Sequence, residues 1–147
     1  MLGARADWGT YADSPHNFVR EETHEGRVLW VHRKGAASAR AGEVGLIPGS
    51  AGTLSVHVEG RGHAQAMASS SHGAGRVYSR SEAKALVTEG DLRTQMGRVA
   101  FDEGRARSLR DEAPSVYRDL RVVLSAQREL VRVTRTLTPL VSFKAGG

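Results

Sequence analysis

Five short clusters of polar residues and glycines contain the side chains of this sequence that could perform chemistry. None of them contains a GxxxxGK[ST] loop or a GxGxxG turn between a strand and a helix, so the sequence does not support a P-loop or dinucleotide-binding fold. The clusters are SPHNFV at residues 14–19, VHRKGA at 31–36, LIPGSAGT at 46–53, SSSHGAGRVYSR at 69–80 and SFKAG at 142–146.

The string SHGAGR surrounds His72 with features of a phosphate pocket. Gly73 and Gly75 have no Cβ atom, which lets backbone N–H groups turn towards a bound phosphate. If residues from Gly75 onward form a helix, the Arg76 guanidinium can reach an anion bound against the imidazole. A histidine with its ordinary pKa of ~6.5 is largely neutral in the cytosol and can act as a nucleophile at phosphorus. Taken alone, the same residues also fit a tight turn without catalytic function.

Two other clusters contain ligand-binding residue types, and each has a structural alternative. Pro48 and Gly49 suit a type II turn next to hydroxyl side chains such as Ser50, but an ordinary strand connection would use the same residues. His16 and Asn17 could pair a metal ligand with a phosphate donor, although a single histidine without a second ligand nearby is more often structural. The remaining histidines show no clustering and are interpreted as strand or loop residues: His24, His32, His57 and His63.

Runs of β-branched and aromatic residues predict the strands that must position these clusters. Residues 27–33 and 53–59 have strand-like length and composition, and residues 42–47 form a weaker candidate between them. The first half of the chain is therefore predicted to be a sheet. The tail VRVTRTLTPLVSFK returns to β-branched residues and is interrupted by Pro139, which predicts a last strand or strand pair.

Two helices are predicted between the first strands and the tail. Ser79 or Ser81 is suited to cap a helix that continues through good helix formers in SRSEAKALV. Residues 113–130 have apolar residues at helical spacing, with Pro114 near the predicted start. Helices that follow a sheet and precede a closing strand predict the α+β class.

Composition limits the kind of protein this can be. The chain has 147 residues, of which 39% are hydrophobic, and this fits one globular domain. Lys and Arg total 21 against 16 Asp and Glu, which favours an anionic partner, but the Arg-rich composition is also typical of GC-rich genomes and leaves nucleic-acid binding open. Cys is absent, so a metal would need His, Asp or Glu ligands. Without an apolar run of ~20 residues, we expect no membrane partner and a cytoplasmic location.

Taken in order, the strings SPHNFV, HRKGA, IPGSAGT, SHGAGRVYSR, EAPSVYRDL and FKAG resemble the C-terminal part of the RtcB family of RNA ligases. The resemblance covers nearly the whole chain from about His16 onward. It implies an RtcB-like α+β fold, with a mixed sheet and packed helices, in which residues 1–147 form the C-terminal portion of a single catalytic domain. The N-terminal portion of that domain has no counterpart in this sequence.

The family joins RNA ends that carry a 3′-phosphate or 2′,3′-cyclic phosphate to 5′-hydroxyl ends, using GTP, manganese and a histidine-bound GMP. The resemblance implies that His72 is this catalytic histidine, His16 a manganese ligand, and Asn17 a phosphate contact. It assigns neutralisation of phosphate to Arg76 and recognition of guanine to Lys144, with Tyr117 as a further guanine contact. The remaining nucleotide contacts that it implies are Pro48, Gly49, Ser50, Ala51, Ser55, Gly73, Ala74 and Gly75.

The sequence departs from the family in its metal ligands. The other ligands of the family, an Asp, a Cys and two histidines, belong to its N-terminal part, so we expect an incomplete metal site here. One hypothesis is a truncated RNA ligase whose N-terminal portion is supplied in trans. A second is a non-catalytic GMP- or RNA-binding remnant, and a third is an unrelated structural α+β domain. A chain with too few metal ligands is expected to be inactive when isolated.

Overall fold

The computed structural model describes Gly9 and residues 13–144, and within them the chain forms seven β-strands and four α-helices. The strands are β1 (Asn17–His24), β2 (Arg27–Lys34), β3 (Ala36–Ser38), β4 (Val44–Ile47), β5 (Ser55–Gly60), β6 (Ser69–Ser71) and β7 (Val131–Leu137). The helices are α1 (Arg80–Leu86), α2 (Glu89–Met96), α3 (Ala106–Leu109) and α4 (Leu120–Ala126). The predicted α+β class is confirmed, as are the strands corresponding to β2, β4, β5 and β7.

The predicted sheet is divided into three antiparallel sheets in the described part of the chain. Their strand orders are β1-β2, β3-β6 and β4-β5-β7. Gly35, between β2 and β3, has a φ of 73°, a conformation that L side chains rarely adopt. The chain therefore turns away from the first pair at Gly35, and β3 pairs with β6 directly before His72.

Strand β1 was not predicted, because NFVREETH is mostly polar and has no apolar alternation. It pairs with β2 along its whole length, from Asn17 opposite Lys34 to His24 opposite Arg27. The connecting residues Glu25 and Gly26 both have positive φ, 51° and 76°, as in the tight hairpin turns whose twist matches that of the strands. Pairing with a strongly strand-forming partner thus determines the conformation of β1.

The predicted cap of the first helix is confirmed at Ser79. The Ser79 side chain accepts a hydrogen bond from the Glu82 backbone N–H, and the Glu82 side chain accepts one from the Ser79 N–H, which makes a capping box. Helix α2 was not predicted; Thr88 and Asp91 form a second capping box at its start. Among the helices described, none has the length and apolar character needed to cross a membrane.

The predicted helix over residues 113–130 is wrong in its first half. Pro114 begins a short 3-10 helix (Pro114–Val116), and Tyr117 is then extended, with φ −113° and ψ 154°. Tyr117 forms a β-bridge with Arg76, and the Asp119 side chain accepts a hydrogen bond from Arg121 N–H to begin α4. The long-range bridge and this local cap together confine the helix to Leu120–Ala126.

Buried side chains form two clusters that meet at Tyr117, which packs against both. The first cluster lies among the helices and consists of Ala83, Val87, Leu92, Met96, Val99, Ala106, Ala113 and Val116. The second packs the β4-β5-β7 sheet against α4 and consists of Ala39, Ile47, Val56, Val58, Ala74, Leu120 and Val131. The Arg76–Tyr117 bridge therefore lies where the helical and sheet regions join.

Candidate functional site

Two histidines that are far apart in the sequence are stacked in the structure. His16 directly precedes β1 and His72 directly follows β6, and their ring centroids lie 4.5 Å apart with the planes 10° from parallel. The Gly35 N–H donates a 2.9 Å hydrogen bond to the His16 carbonyl. A Cβ atom at Gly35 would lie 3.6 Å from His72 Cδ2 and Nε2. The Gly35 backbone therefore lies next to both histidines, bonded to His16 and packed against the His72 ring.

The loop that contains Pro48 lies against the residues that follow His72. Ala74 N–H donates a 3.0 Å hydrogen bond to the Pro48 carbonyl, and a Cβ atom at Gly73 would lie 3.3 Å from that same oxygen. Ala74 is buried, whereas His72 and Gly73 are half-buried. The Pro48 loop thus packs against the two residues that directly follow His72.

The His72 imidazole is held in its neutral form. Burial lowers its pKa below the ordinary value of 6.5, and electrostatic repulsion from His16 lowers it further. Within the described residues the His72 ring makes no hydrogen bond, so no protein group in this part of the chain occupies its lone pair. A neutral, partly accessible imidazole is the form that can act as a nucleophile.

Arg76 is oriented differently from the sequence expectation. Residues 75–79 are not helical, since α1 begins at Arg80, so the helical condition for a reach towards His72 is not met. The Arg76 guanidinium lies over the Tyr117 ring at 5.0 Å, and its Nη2 lies 3.0 Å from Glu112 Oε1 without hydrogen-bond geometry. Both Nη atoms are buried and have no hydrogen-bond partner in the described part of the chain. A buried guanidinium whose donors make no hydrogen bond is suited to an anionic or carbonyl acceptor.

Glu112 connects several of these residues. Its carboxylate accepts hydrogen bonds from Lys144 Nζ at 2.6 Å, Tyr117 OH at 2.5 Å and Arg80 Nη1 at 3.0 Å. Burial alone would raise the pKa of Glu112, but the hydrogen bonds from Lys144 and Tyr117 outweigh it and lower the pKa to about 2. Burial and the bond to Glu112 raise the pKa of Tyr117 to about 12. Glu112 is therefore an anion and Tyr117 a neutral phenol at neutral pH.

A cavity of about 180 Å³ opens beside this carboxylate. Of the residues predicted from the sequence, Ala51 and Lys144 line it, at the edge of the helical core. Its other lining residues were not identified from the sequence: Leu92, Met96, Phe101, Leu109, Glu112 and Ser142. An apolar wall with a lysine, a carboxylate and a hydroxyl at its rim has the character of a small-molecule site.

The backbone of Gly49 in the PGS motif differs from the predicted type II turn. Gly49 does not have a positive φ, so the type II turn with Gly49 in its left-handed position is not formed. A Cβ atom at Gly49 would lie 2.4 Å from the Leu54 carbonyl oxygen, and this close approach requires glycine. The Ser50 and Thr53 hydroxyl oxygens lie 2.8 Å apart and bond each other. The loop is thus closed by its own contacts.

The remaining predicted contacts occupy separate positions. Asn17 is the exposed first residue of β1. Ser55 is the half-buried first residue of β5, paired with Leu137, and it does not line the cavity beside Glu112. Gly75 has a φ of 75°, and its carbonyl accepts a 2.9 Å hydrogen bond from Arg118 N–H. The structure brings together His16, His72 and the Pro48 loop as one group, and Ala51, Arg76 and Lys144 near Glu112 as another.

The described residues do not form a metal site on their own. No group of three or more His, Cys, Asp or Glu side chains within them is arranged to hold a metal ion. His16 would supply one imidazole, and a catalytic metal needs about three protein ligands. The donor set of this part of the chain therefore does not fit a bound manganese ion without further ligands.

Glu112 was missed as a site residue although it begins the EAPSVY string. The one local signal was a pair of adjacent carboxylates, Asp111 and Glu112, shortly before Pro114. Both are buried, and acidic residues are rarely buried unless they are paired. The cations that compensate the buried charge of Glu112 are Arg80 and Lys144, which lie far from it in the sequence. No local pattern around Glu112 could therefore have predicted its burial.

The chain is thus an α+β protein with two groups of candidate site residues, one around the stacked histidines and one around the Glu112 carboxylate. Comparison with known sequences identifies its family. Residues 3–145 match the family described as "tRNA-splicing ligase RtcB". The chain belongs to the RtcB family.

Several curated relatives are similar over most of this chain. It is 45% identical to the RNA-splicing ligase RtcB of Escherichia coli K12 over 88% of this chain and 31% of the relative. It is 32% identical to the RNA-splicing ligase RtcB of Mycobacterium tuberculosis over 90% of this chain and 35% of the relative. It is 30% identical to the tRNA-splicing ligase RtcB of Pyrobaculum aerophilum over 80% of this chain and 29% of the relative. The chain thus spans about a third of the length of these relatives.

Proposed function

We propose that this chain provides the nucleophile and nucleotide-binding part of a GTP- and manganese-dependent RNA ligase. The ligase would join RNA 3′-phosphate or 2′,3′-cyclic phosphate ends to 5′-hydroxyl ends. The observation that carries the proposal is the neutral His72 imidazole stacked on His16 beside the Pro48 loop. Membership of a family whose curated relatives are named RNA- or tRNA-splicing ligases supports the same conclusion.

In this proposal His72 attacks the α-phosphorus of GTP through a ring nitrogen. A nitrogen–phosphorus bond forms, the bond to pyrophosphate breaks, and the guanylyl group remains on His72. The guanylyl group then passes to an RNA 3′-phosphate, which a 5′-hydroxyl attacks with GMP as the leaving group. The lowered pKa of His72 favours the first step because it keeps the ring unprotonated.

The guanine base is proposed to lie in the cavity beside Lys144. Lys144 lines this cavity, and its ammonium is held by Glu112 at 2.6 Å. Arg76 Nη2 forms a 3.0 Å ion pair with the same carboxylate, although neither Nη atom makes a hydrogen bond in the described residues. The Lys144 ammonium suits an oxygen acceptor of a guanine nucleotide, whereas the apolar lining of Leu92, Met96 and Phe101 suits a flat ring.

Manganese would need ligands beyond those described here. His16 is the proposed ligand from this chain, and when complete the metal site would stabilise negative charge on the phosphates. Because the described residues do not form a group of three ligands, we expect the isolated chain not to seal RNA. The same observation favours the alternative function, a non-catalytic GMP- or RNA-binding remnant of such a ligase.

Guanylylation in a reconstituted complex distinguishes the two functions. The chain is mixed with a polypeptide that supplies the remaining part of the E. coli K12 relative, then incubated with α-labelled GTP and manganese. The proposal expects one label on His72, located by peptide mass mapping, and stable to alkali but lost in acid. The His72→Ala variant should remain unlabelled, whereas His57→Ala, which alters a half-buried histidine in β5, should be labelled normally.

The outcomes of this experiment are separable. Label on another residue, or label retained in His72→Ala, contradicts the assignment of His72. A stable complex that binds GMP but takes no label supports the remnant. Sealing of RNA by the isolated chain would show that residues of this chain complete the metal site.

A further inference from the structure

One face of the β1–β2 hairpin exposes large apolar side chains to solvent. Val19 is 51% exposed, Val28 64% and Trp30 67%. We call these three residues the outer face of the hairpin. Exposed apolar side chains grouped on one face mark interaction sites more often than isolated apolar residues do.

Strand pairing places the three side chains on the same side. Val19 is opposite His32, Glu21 is opposite Trp30, and Thr23 is opposite Val28. Side chains two residues apart along a strand point to the same face, so the three apolar side chains share one side with the exposed polar residues Glu21, Thr23 and His32. The residues that alternate with these point to the opposite side, and among them Glu22, Val31 and Arg33 are buried against the rest of the protein.

The sequence of β2 matches a strand that is covered on both sides. A strand with one solvent-facing side alternates apolar and polar residues, whereas a strand buried on both sides has a continuous apolar run. β2 contains the continuous run VLWV at residues 28–31. Val31 is buried and Leu29 half-buried on the inner side, while Val28 and Trp30 have no cover in the described structure.

Buried contacts hold the hairpin in a fixed orientation. Arg33 donates hydrogen bonds to both carboxylate oxygens of Glu22, at 2.6 and 2.9 Å, across the two strands. The same guanidinium donates to Ser69 Oγ and to the Met67 carbonyl, each at 2.9 Å. These bonds attach the hairpin to the chain segment that leads to His72, so the outer face is presented rigidly before any partner binds.

We propose that the outer face is the docking surface for the part of the RtcB fold that this chain does not span. The chain covers 31% of the E. coli K12 relative while matching it over 88% of its own length, so about two thirds of that relative lies outside the match. His16 at the candidate site leads directly into the hairpin, and a covering segment here would lie next to that site. The covering segment is expected to present aliphatic and aromatic side chains.

A second copy of this chain is the less suitable occupant. Three side chains offer well under the ~800 Å² per partner of a stable protein interface, so the outer face is expected to be one area of a larger contact. A large complementary polypeptide can provide the remaining contacts. The proposal concerns assembly alone and holds whether or not the assembled protein ligates RNA.

The test measures assembly without GTP or metal, so its result does not depend on catalysis. The chain is titrated with a polypeptide that supplies the remaining part of the E. coli K12 relative, and the Kd is measured by calorimetry. Val28→Thr/Trp30→Thr removes apolar surface while leaving a residue that favours strands, the β-branched threonine, at both positions. The matched control is Val44→Thr/Val133→Thr, which alters two exposed strand residues elsewhere, 55% and 44% exposed.

The proposal expects the Val28→Thr/Trp30→Thr variant to bind at least 10-fold more weakly and the control to change less than 3-fold. Both variants should unfold at the same temperature as the unmodified chain. Hydroxyl-radical footprinting should show protection of Trp30 in the complex. Failure of the unmodified chain to bind, equal weakening by the control, or an unprotected Trp30 would overturn the proposal. If the chain alone forms a dimer that the Val28→Thr/Trp30→Thr substitution abolishes, the outer face binds a second copy of the chain instead.

Discussion

Lys144 and Glu112 form a 2.6 Å ion pair that joins the last described residue of the chain to the segment before Pro114. The Lys144 side chain is half-exposed, whereas that of Glu112 is 10% exposed. The carboxylate also accepts the hydrogen bond of the Tyr117 hydroxyl. The Glu112 carboxylate therefore links Lys144 to Tyr117 beside the proposed guanine pocket, and this relationship can be tested through Tyr117.

Replacing Glu112 should lower the pKa of Tyr117. In the protein, burial and the hydrogen bond to Glu112 raise this pKa to about 12. With Glu112→Gln the negative charge is lost, and the pKa should move towards the ordinary value of 10. Ultraviolet titration of the phenols measures it, with Tyr117→Phe identifying the transition. Asp111→Asn is the control, since Asp111 pairs with Arg80 rather than with Tyr117. An unchanged transition in Glu112→Gln would contradict the assigned cause.

Acid should destabilise the hairpin through Glu22. The hydrogen bond from Arg33 is the main cause that lowers the pKa of Glu22 from 4.5 to about 2, against the opposing effect of burial. A carboxylate with a lowered pKa stabilises the fold above pH 4.5, and this contribution is lost as the pH falls from about 4.5 to about 2. Glu112 acts in the same direction over the same range.

The variant Glu22→Gln separates the contribution of Glu22. It leaves the buried Arg33 cation without its partner and should cost about 3 kcal/mol at pH 7. Urea unfolding at pH 7, 4.5 and 3 should then show a shallower loss of stability with acid than in the unmodified chain. Glu21→Gln, at the exposed neighbouring position of β1, should change the unfolding free energy by less than about 0.5 kcal/mol. Identical pH slopes for the unmodified chain and Glu22→Gln would refute the prediction.

Two glycine substitutions should have opposite effects. A Cβ atom at Gly49 would lie 2.4 Å from the Leu54 carbonyl oxygen, so Gly49→Ala should destabilise by roughly 1–3 kcal/mol through overpacking. Gly90 lies in α2, and a Cβ atom there would have Thr88 Oγ1 as its nearest neighbour, at 3.7 Å. Gly90→Ala should therefore stabilise by roughly 0.5 kcal/mol, because alanine favours the helix. Thermal unfolding of both variants tests the pair, and a stable Gly49→Ala protein would disprove the steric argument.

RNA binding by the isolated chain should be weak and dependent on salt. The chain has 21 Lys and Arg against 16 Asp and Glu, and contacts from cations to phosphates release counterions. We expect the Kd for a single-stranded RNA to rise steeply between low and moderate salt, with little difference between sequences of equal length. Fluorescence anisotropy over a salt series measures this. An affinity that does not change with salt would exclude binding dominated by phosphate contacts.

Local sequence signals predicted much of the fold. The β-branched runs predicted β2, β5 and β7, and the candidate caps Ser79 and Ser81 predicted the start of α1, because strand propensity and helix capping act between residues close in the chain. The ordered motifs around His16, Pro48 and His72 predicted the family, which the match over residues 3–145 confirms. The roles assigned to individual residues of the site remain predictions.

Tertiary structure decided what depends on contacts between distant residues. The polar β1 is a strand because it pairs with β2, and the predicted helix over 113–130 is interrupted because Tyr117 pairs with Arg76. Glu112 became a site residue only through burial beside distant cations. In these segments, pairing between distant strands and compensation of buried charge stabilise the structure more than the local preference for helix or strand does. The sequence alone therefore determined the family and the order of its motifs, while the folded chain determined which of their side chains meet.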